Sequence, residues 1–217
     1  MFIGHFAPAC VAATHRKAPS LPILFLGAQL IDWAFFGLLY LGVEKARLVP
    51  GISAMNPMDL YSMPYTHSLL GTLAWAAGFA VLIRVFGKSW VAAAIGFGVV
   101  VSHWLLDLLV HIPDLTLAGQ PPKLGFGLWN HPVLEMPLEL GITTLGLWLY
   151  ARATGGLRPS IWALAVILLV LQAINWFGPQ PIEVTLSVTL LAWFGYAVAT
   201  IGAWWAARSA QRRHPAH

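Results

Sequence analysis

Of 217 residues, 59% are hydrophobic and only 9% are charged, against about 25% charged in an ordinary soluble domain. With a mean hydropathy of +0.74, the chain carries more apolar surface than a water-soluble core can hide, so lipid is its expected solvent. The formal net charge of +4 comes from Lys and Arg scattered between apolar runs, which excludes a dense nucleic-acid-binding patch and reads instead as a topology signal.

The first apolar stretch, Phe2 to Thr14, is too short to span a bilayer and reads as a half-helix or re-entrant piece. Arg16 and Lys17 follow this stretch rather than precede it, so no cleavable leader is expected. Six longer apolar segments come next, over roughly residues 21–43, 65–86, 90–112, 133–152, 160–177 and 184–206. Each is close to the ~20 residues a helix needs to cross hydrocarbon, and barrel-type alternation is absent. The expected fold is therefore all-α: one integral membrane domain over residues 1–217, with six transmembrane helices and a short N-terminal half-helix. Turn formers mark two longer loops, from Val49-Pro50-Gly51 to Pro64 and from Leu117 to Trp129. The single cysteine, Cys10, excludes an internal disulfide and a Cys-rich zinc site.

If the six segments alternate, one side receives Arg16, Lys17, Arg84, Lys88, Arg152, Arg158, Arg208, Arg212 and Arg213, and the other only Lys45, Arg47 and Lys123. Nine against three accounts for all 12 basic residues. The positive-inside rule then puts the C-terminus in the cytoplasm and the loops near 44–64 and 112–132 outside.

Ionisable residues in or beside apolar segments are expensive, and each needs a reason. Here they are His5, Asp32, His67, His103, Asp107, His111, His131, Glu135 and Glu139. All but His5 and Asp32 fall toward the outer ends of their segments, on a topology fixed by Lys and Arg alone. His103, Asp107 and His111 are spaced four apart, as are His131, Glu135 and Glu139, and residues at i and i+4 share a helix face. Imidazole and carboxylate without thiolate suit zinc, with manganese or iron as alternatives. Bland readings exist for several of them: an interfacial histidine at His111 or His131, a helix-start cap at His67, a first-turn carboxylate at Glu135. His15, His214 and His217 sit on the basic side and take no role. The tryptophans read mostly as belt or packing residues, with a place lining the mouth of a site as the alternative for Trp104 and Trp129.

At these positions the sequence resembles the bacterial membrane-bound metal-dependent hydrolase family. The resemblance rests on Gly4-His5, Leu30-Ile31-Asp32, "PYTHSLL" from Pro64 to Leu70, and "SHWLLDLLVHIPDL" from Ser102 to Leu115. It covers roughly residues 1–150, and the helices after that carry no recognised motif. A more distant similarity, in ligand order, is to the secreted zinc-dependent phospholipases C and related single-strand nucleases. Along this chain the order runs His5, Asp32, His67, His103-x3-Asp107, His111, His131-x3-Glu135. By that similarity Asp107 would bridge metals, and Asp32 would ligate one and position the water.

The expected function is a metal-dependent hydrolase of the bacterial inner membrane. Asp32 and Asp107 are its catalytic candidates, zinc or another divalent ion its cofactor, and a lipid headgroup or other phosphodiester its substrate, reached from the periplasmic side. Ser68 and Ser102 each adjoin a histidine in sequence, but i and i+1 do not face each other on a helix, so a serine nucleophile is the weaker reading. Two alternatives remain open: a non-catalytic membrane subunit with a structural metal, and an ion or proton carrier.

Overall fold

The computed structural model describes residues 1–181 and 183–211. Arg212, Arg213, His214 and His217 lie outside the described residues. The chain opens with a 3-10 turn, Ile3–His5, that runs into α1 (Phe6–Ala12). Then come α2 (Leu21–Ala28), α3 (Leu30–Tyr40), α4 (Leu69–Val85), α5 (Trp90–Val110), α6 (Pro132–Ala153), α7 (Pro159–Phe177) and α8 (Leu186–Gln211). The helix starts follow local chemistry. Ser68 and Ser89 cap α4 and α5 by accepting from Gly71 N and Ala92 N, and proline occupies the first turn of α2, α6 and α7.

Two small antiparallel ribbons decorate one end. β1 (Lys45–Leu48) pairs with β2 (Met58–Ser62), and β3 (Leu115–Thr116) with β4 (Lys123–Leu124). The turn-former-rich loops near 49–64 and 117–129 are therefore partly ordered as sheet.

Every apolar segment expected from the sequence is helical, including the short N-terminal one. Among the described residues, α5, α7 and α8 are long and apolar enough to span, and α2 with α3 makes a fourth if the pair is one bent span. Six transmembrane helices are thus not supported by length and composition. α4 has 17 residues, and α6 holds Glu135, Glu139 and Arg152 within its 22. The expected first span, 21–43, is broken at Gln29 with a bend of 46°.

The core explains why the short α1 is held inside. Phe6, Cys10, Leu24, Phe25, Leu164 and Leu168 pack as one buried cluster joining α1, α2 and α7, and Ala199 and Ala203 bring in α8. α1 lies so close to α6 that a Cβ at Gly146 would sit 2.9 Å from the Ala7 carbonyl oxygen. Small residues permit this kind of backbone approach between apolar helices.

Candidate metal centre

Helix ends and breaks bring the polar side chains together. His5 closes the N-terminal 3-10 turn. Asp32 lies just past the α2–α3 break, and His67 sits two residues before α4. His103 and Asp107 are one turn apart in α5, and His111 is the residue after its end. His5, His67, His103, Asp107 and His111 are all buried. Burial of this many ionisable groups is stable only if they compensate one another or share a cation.

Asp107 is the hub. Its Oδ1 lies 3.1 Å from His5 Nε2 and 3.5 Å from His111 Nε2. Its Oδ2 lies 3.1 Å from His103 Nε2 and 3.6 Å from His67 Nε2. Asp32 Oδ1 is 3.4 Å from His67 Nε2 and 3.5 Å from His103 Nε2. The His5 and His103 rings stack at 3.8 Å. The Met1 amine, also buried, donates to Asp107 Oδ1 at 3.1 Å.

The far nitrogens of three histidines are tied, which fixes what Nε2 presents to the centre. His103 Nδ1 is 2.7 Å from the carbonyl oxygen of Ala28, the last residue of α2. A carbonyl only accepts, so Nδ1 carries a proton, and in the neutral ring Nε2 is then a lone pair free to ligate. His111 Nδ1 lies 2.8 Å from Asp114 Oδ1, with the same consequence. At His67 the tie runs through a hydroxyl. The Thr66 hydroxyl is 2.6 Å from Glu44 Oε2 and donates to it, so its oxygen accepts from His67 Nδ1 at 2.9 Å. Glu44 is buried, and its other oxygen accepts from the Tyr65 and Thr66 amides at 2.9 Å each. These outer partners orient each imidazole as second-shell groups orient metal-ligating histidines.

Three imidazole lone pairs therefore converge on carboxylate oxygens, acceptor against acceptor. Such an arrangement needs positive charge; the Met1 amine supplies some of it at Asp107 Oδ1, and protons or a metal ion would supply the rest. His5 Nε2, His103 Nε2 and Glu135 Oε2 are buried without a hydrogen-bond partner, and orphaned buried polar atoms are otherwise costly. Ligand atoms of His5, Asp32 and His103 lie within 4.8 Å of one another, as do those of His67, His103 and Asp107. The cluster could hold a metal ion, and its donor set of imidazole and carboxylate fits one.

Outside the spanning helices, titration tells the same story. Burial lowers the His5 pKa to about 4, with the neighbouring His103 adding to the shift and Asp107 opposing it, so His5 is a neutral donor. Burial opposes charge on His111 as well, but Asp114 and Asp107 outweigh it and raise its pKa to about 9. A cation on His111 Nε2 is thus favoured. The Met1 amine is likewise held above its ordinary value, Asp107, Glu139 and Asp32 together overcoming its burial.

Two of the residues expected as ligands are placed otherwise. His131 is exposed at the N-terminal boundary of α6 and makes no contact with the aspartates. It does not share an inward face with Glu135, because it precedes the helix, with non-helical backbone. Glu139 is buried, but both its oxygens are engaged. Oε1 accepts from the Phe2 and Gly4 amides at 2.6 and 3.0 Å, and Oε2 accepts from Gln172 at 2.9 Å. Glu139 clamps the N-terminal segment in place, and Gln172 Oε1 helps by accepting from Ile3 N at 3.3 Å. Glu135 stays available and lines the cavity in front of the cluster.

Residues outside the expected ligand set also take part. Glu44, Thr66 and Asp114 are the histidine partners above. Trp104 donates from its indole to the His67 carbonyl at 3.2 Å, and Trp129 lies over His111 with ring centres 4.1 Å apart. Both are buried site residues rather than belt residues. From the helices read as motif-free come Gln172 and Tyr196, whose hydroxyl is 3.4 Å from Asp32 Oδ2. The two serines are committed elsewhere: Ser68 Oγ donates to the Pro64 carbonyl at 2.6 Å, and Ser102 Oγ to that of Val99 at 2.7 Å.

Compared with known proteins, the chain matches no family model, no curated protein and no solved structure.

Proposed function

We propose that the protein is a membrane-embedded, metal-dependent hydrolase of esters or phosphodiesters. The observation that carries this reading is the convergence of the His67, His103 and His111 Nε2 lone pairs on Asp32 and Asp107. His5, His67, His103 and His111, with the two aspartates, would hold the metal; Glu135 would complete the set from α6. Zinc is the ion this donor set suits best. When bound, a divalent ion there lowers the pKa of a water and neutralises charge on a phosphoryl or carbonyl oxygen.

The chain's own groups do the rest. Asp32 Oδ2 accepts from Gln29 at 3.2 Å and from Tyr196 at 3.4 Å, which fixes the plane of its carboxylate and leaves Oδ1 facing the histidines. Glu135 Oε2, buried without a hydrogen-bond partner, would accept the proton of an attacking water. Asp107 and His67 line the same cavity as Glu135, so the cluster is open on one side. That openness favours a catalytic over a structural metal, because structural sites are closed by protein ligands.

The orientation part of the reading places the C-terminus in the bacterial cytoplasm and the centre toward the periplasm. It counts α4 and α6 as crossings and rests on the nine-to-three division of Lys and Arg. The resemblance to the membrane-bound metal-dependent hydrolases supports the same picture.

The test is metal analysis and turnover on the same preparations. Purified wild type should carry divalent metal and hydrolyse bis(p-nitrophenyl) phosphate, and Asp107→Ala should lose both. A metal-loaded wild type that is inert toward a panel of phosphodiesters and carboxylic esters would overturn the enzymatic reading. A single cysteine at Gly119, in a Cys10→Ser background, should be labelled from outside intact cells. Labelling only after lysis would reverse the orientation.

A further inference from the structure

Part of the cavity has no role in the chemistry proposed above. Its volume is about 620 Å³, within the ~300–1,000 Å³ usual for ligand sites. One end is polar, lined by Asp32, His67, Asp107, His111 and Glu135. From there it extends along Leu171, Ile174, Val188, Leu191 and Phe194 of α7 and α8. Among the described lining residues there is no Lys or Arg. Sites for water-borne anionic esters ordinarily carry such a cation, since guanidinium or ammonium replaces the water that the anion gives up. This arm offers mainly hydrocarbon contact instead, with the neutral polar side chains of Asn175, Gln180 and Ser187 beside it.

The second observation is where the arm opens. Ile174 is 55% exposed, and Leu191 and Phe194 are each 64% exposed. Side chains that wall the cavity therefore also form the outer surface of α7 and α8. Those helices are two of the three long and apolar enough to cross a membrane. The interior of the arm is thus continuous with a surface that lies in hydrocarbon.

We propose that this arm is a subsite for one hydrocarbon chain of a bilayer lipid. The lipid reaches it sideways between α7 and α8 and places its ester or phosphodiester linkage at Asp32 and Asp107. As a statement about substrate this rests on the hydrolase reading; as a statement about binding it does not. Gly195 shapes the arm. A Cβ there would meet Phe2 at 3.8 Å and Leu171 at 3.9 Å, which is ordinary contact, so a larger side chain at this position takes up cavity space.

The experiment has two arms. In the first, the full chain is reconstituted in phosphatidylcholine vesicles doped with a phosphatidylcholine that bears a diazirine at one acyl terminus, and adducts are mapped by mass spectrometry. Adducts are expected on Phe2, Leu171 and Tyr196, and at least tenfold fewer of them in Gly195→Phe. Ala192→Phe, on the same wall, serves if the first variant fails to fold. Adducts confined to outward-facing residues, or equal interior labelling in a folded variant, would overturn the subsite. In the second arm, soluble alkyl phosphodiesters from ethyl to octyl are compared. Burial of each methylene should raise kcat/KM by roughly fourfold, and Gly195→Phe should flatten the series. Turnover independent of chain length overturns the subsite and leaves the hydrolase standing. Interior adducts with no turnover at any length leave the subsite and end the hydrolase reading.

Discussion

Thr66→Val is the sharpest probe of how the centre is built. Valine keeps the shape and β-branching of threonine and removes only the hydroxyl that joins Glu44 to His67. Two contacts go with it, the 2.6 Å bond to Glu44 Oε2 and the 2.9 Å bond to His67 Nδ1. Without a fixed acceptor at Nδ1, the imidazole is free to carry its proton on Nε2, where it cannot ligate. Loss of a comparable outer-shell partner typically weakens metal binding by about 10- to 100-fold, or roughly 1.4–2.7 kcal/mol. Some loss of stability is expected too, because Glu44 Oε2 is left buried without that donor, at about 1–3 kcal/mol. The two effects separate by measurement. Zinc affinity is read by competition with a chromophoric chelator in detergent, and stability by thermal melting of the metal-free protein. Thr66→Ser restores the hydroxyl and should restore affinity. A Thr66→Val protein that binds zinc within twofold of wild type would refute the tautomer argument, whatever its melting temperature.

Three further outcomes follow from the same geometry. His103→Ala should lose metal, whereas His131→Ala should retain it fully, as read by elemental analysis of both proteins; equal loss would restore His131 as a ligand. Chelation should lower the melting temperature of wild type, since a ligand that binds only the folded state at 100 times its Kd contributes about 2.7 kcal/mol, and a Tm indifferent to chelator would exclude a tightly held metal. His111, with its pKa raised to about 9, is protonated below that pH and must lose its proton to bind metal. Affinity should therefore rise with pH up to about 9 and level off above it, and a flat titration would remove His111 from the ligand set.

Most of the helical framework was legible because hydrophobic run length is a direct consequence of transfer into lipid. The break at Gln29 was not. The run length of 21–43 does not mark it, and the contacts made there show only in the fold: the Ala28 carbonyl meets His103 of α5, and the Gln29 side-chain amide donates to Asp32 three residues on. The small sheets were hidden for a similar reason. β1 and β2 are short, half-exposed strands whose pairing no long alternating pattern announces. Length and composition alone support three or four crossings rather than six, because α4 has 17 residues and α6, though apolar on average, includes Glu135, Glu139 and Arg152.

At the centre, i, i+4 spacing worked where a continuous helix carried it. His103 and Asp107 do meet. The same rule failed for His131, since it holds only inside a helix and α6 begins at Pro132. What spacing cannot reveal is which atoms a carboxylate has already engaged. Glu139 looks like a third ligand in sequence, yet backbone amides of Phe2 and Gly4 reach it first. Glu44 looks like a loop residue, yet through Thr66 it selects which ring nitrogen of His67 faces the centre as an acceptor. A signal for Glu44 did exist: it is the only carboxylate between Asp32 and Asp59, placed where the chain leaves an apolar segment. An acidic side chain there is costly to bury unless donors surround it, and the donors are the Tyr65 and Thr66 amides and the Thr66 hydroxyl, part of the motif that delivers His67. The two assignments thus exchange roles for one physical reason. A carboxylate whose oxygens are both saturated by N–H and O–H donors orients the centre, and a carboxylate with one oxygen facing imidazole nitrogens, as Asp107 Oδ2 and Asp32 Oδ1 do, leaves a place for a cation.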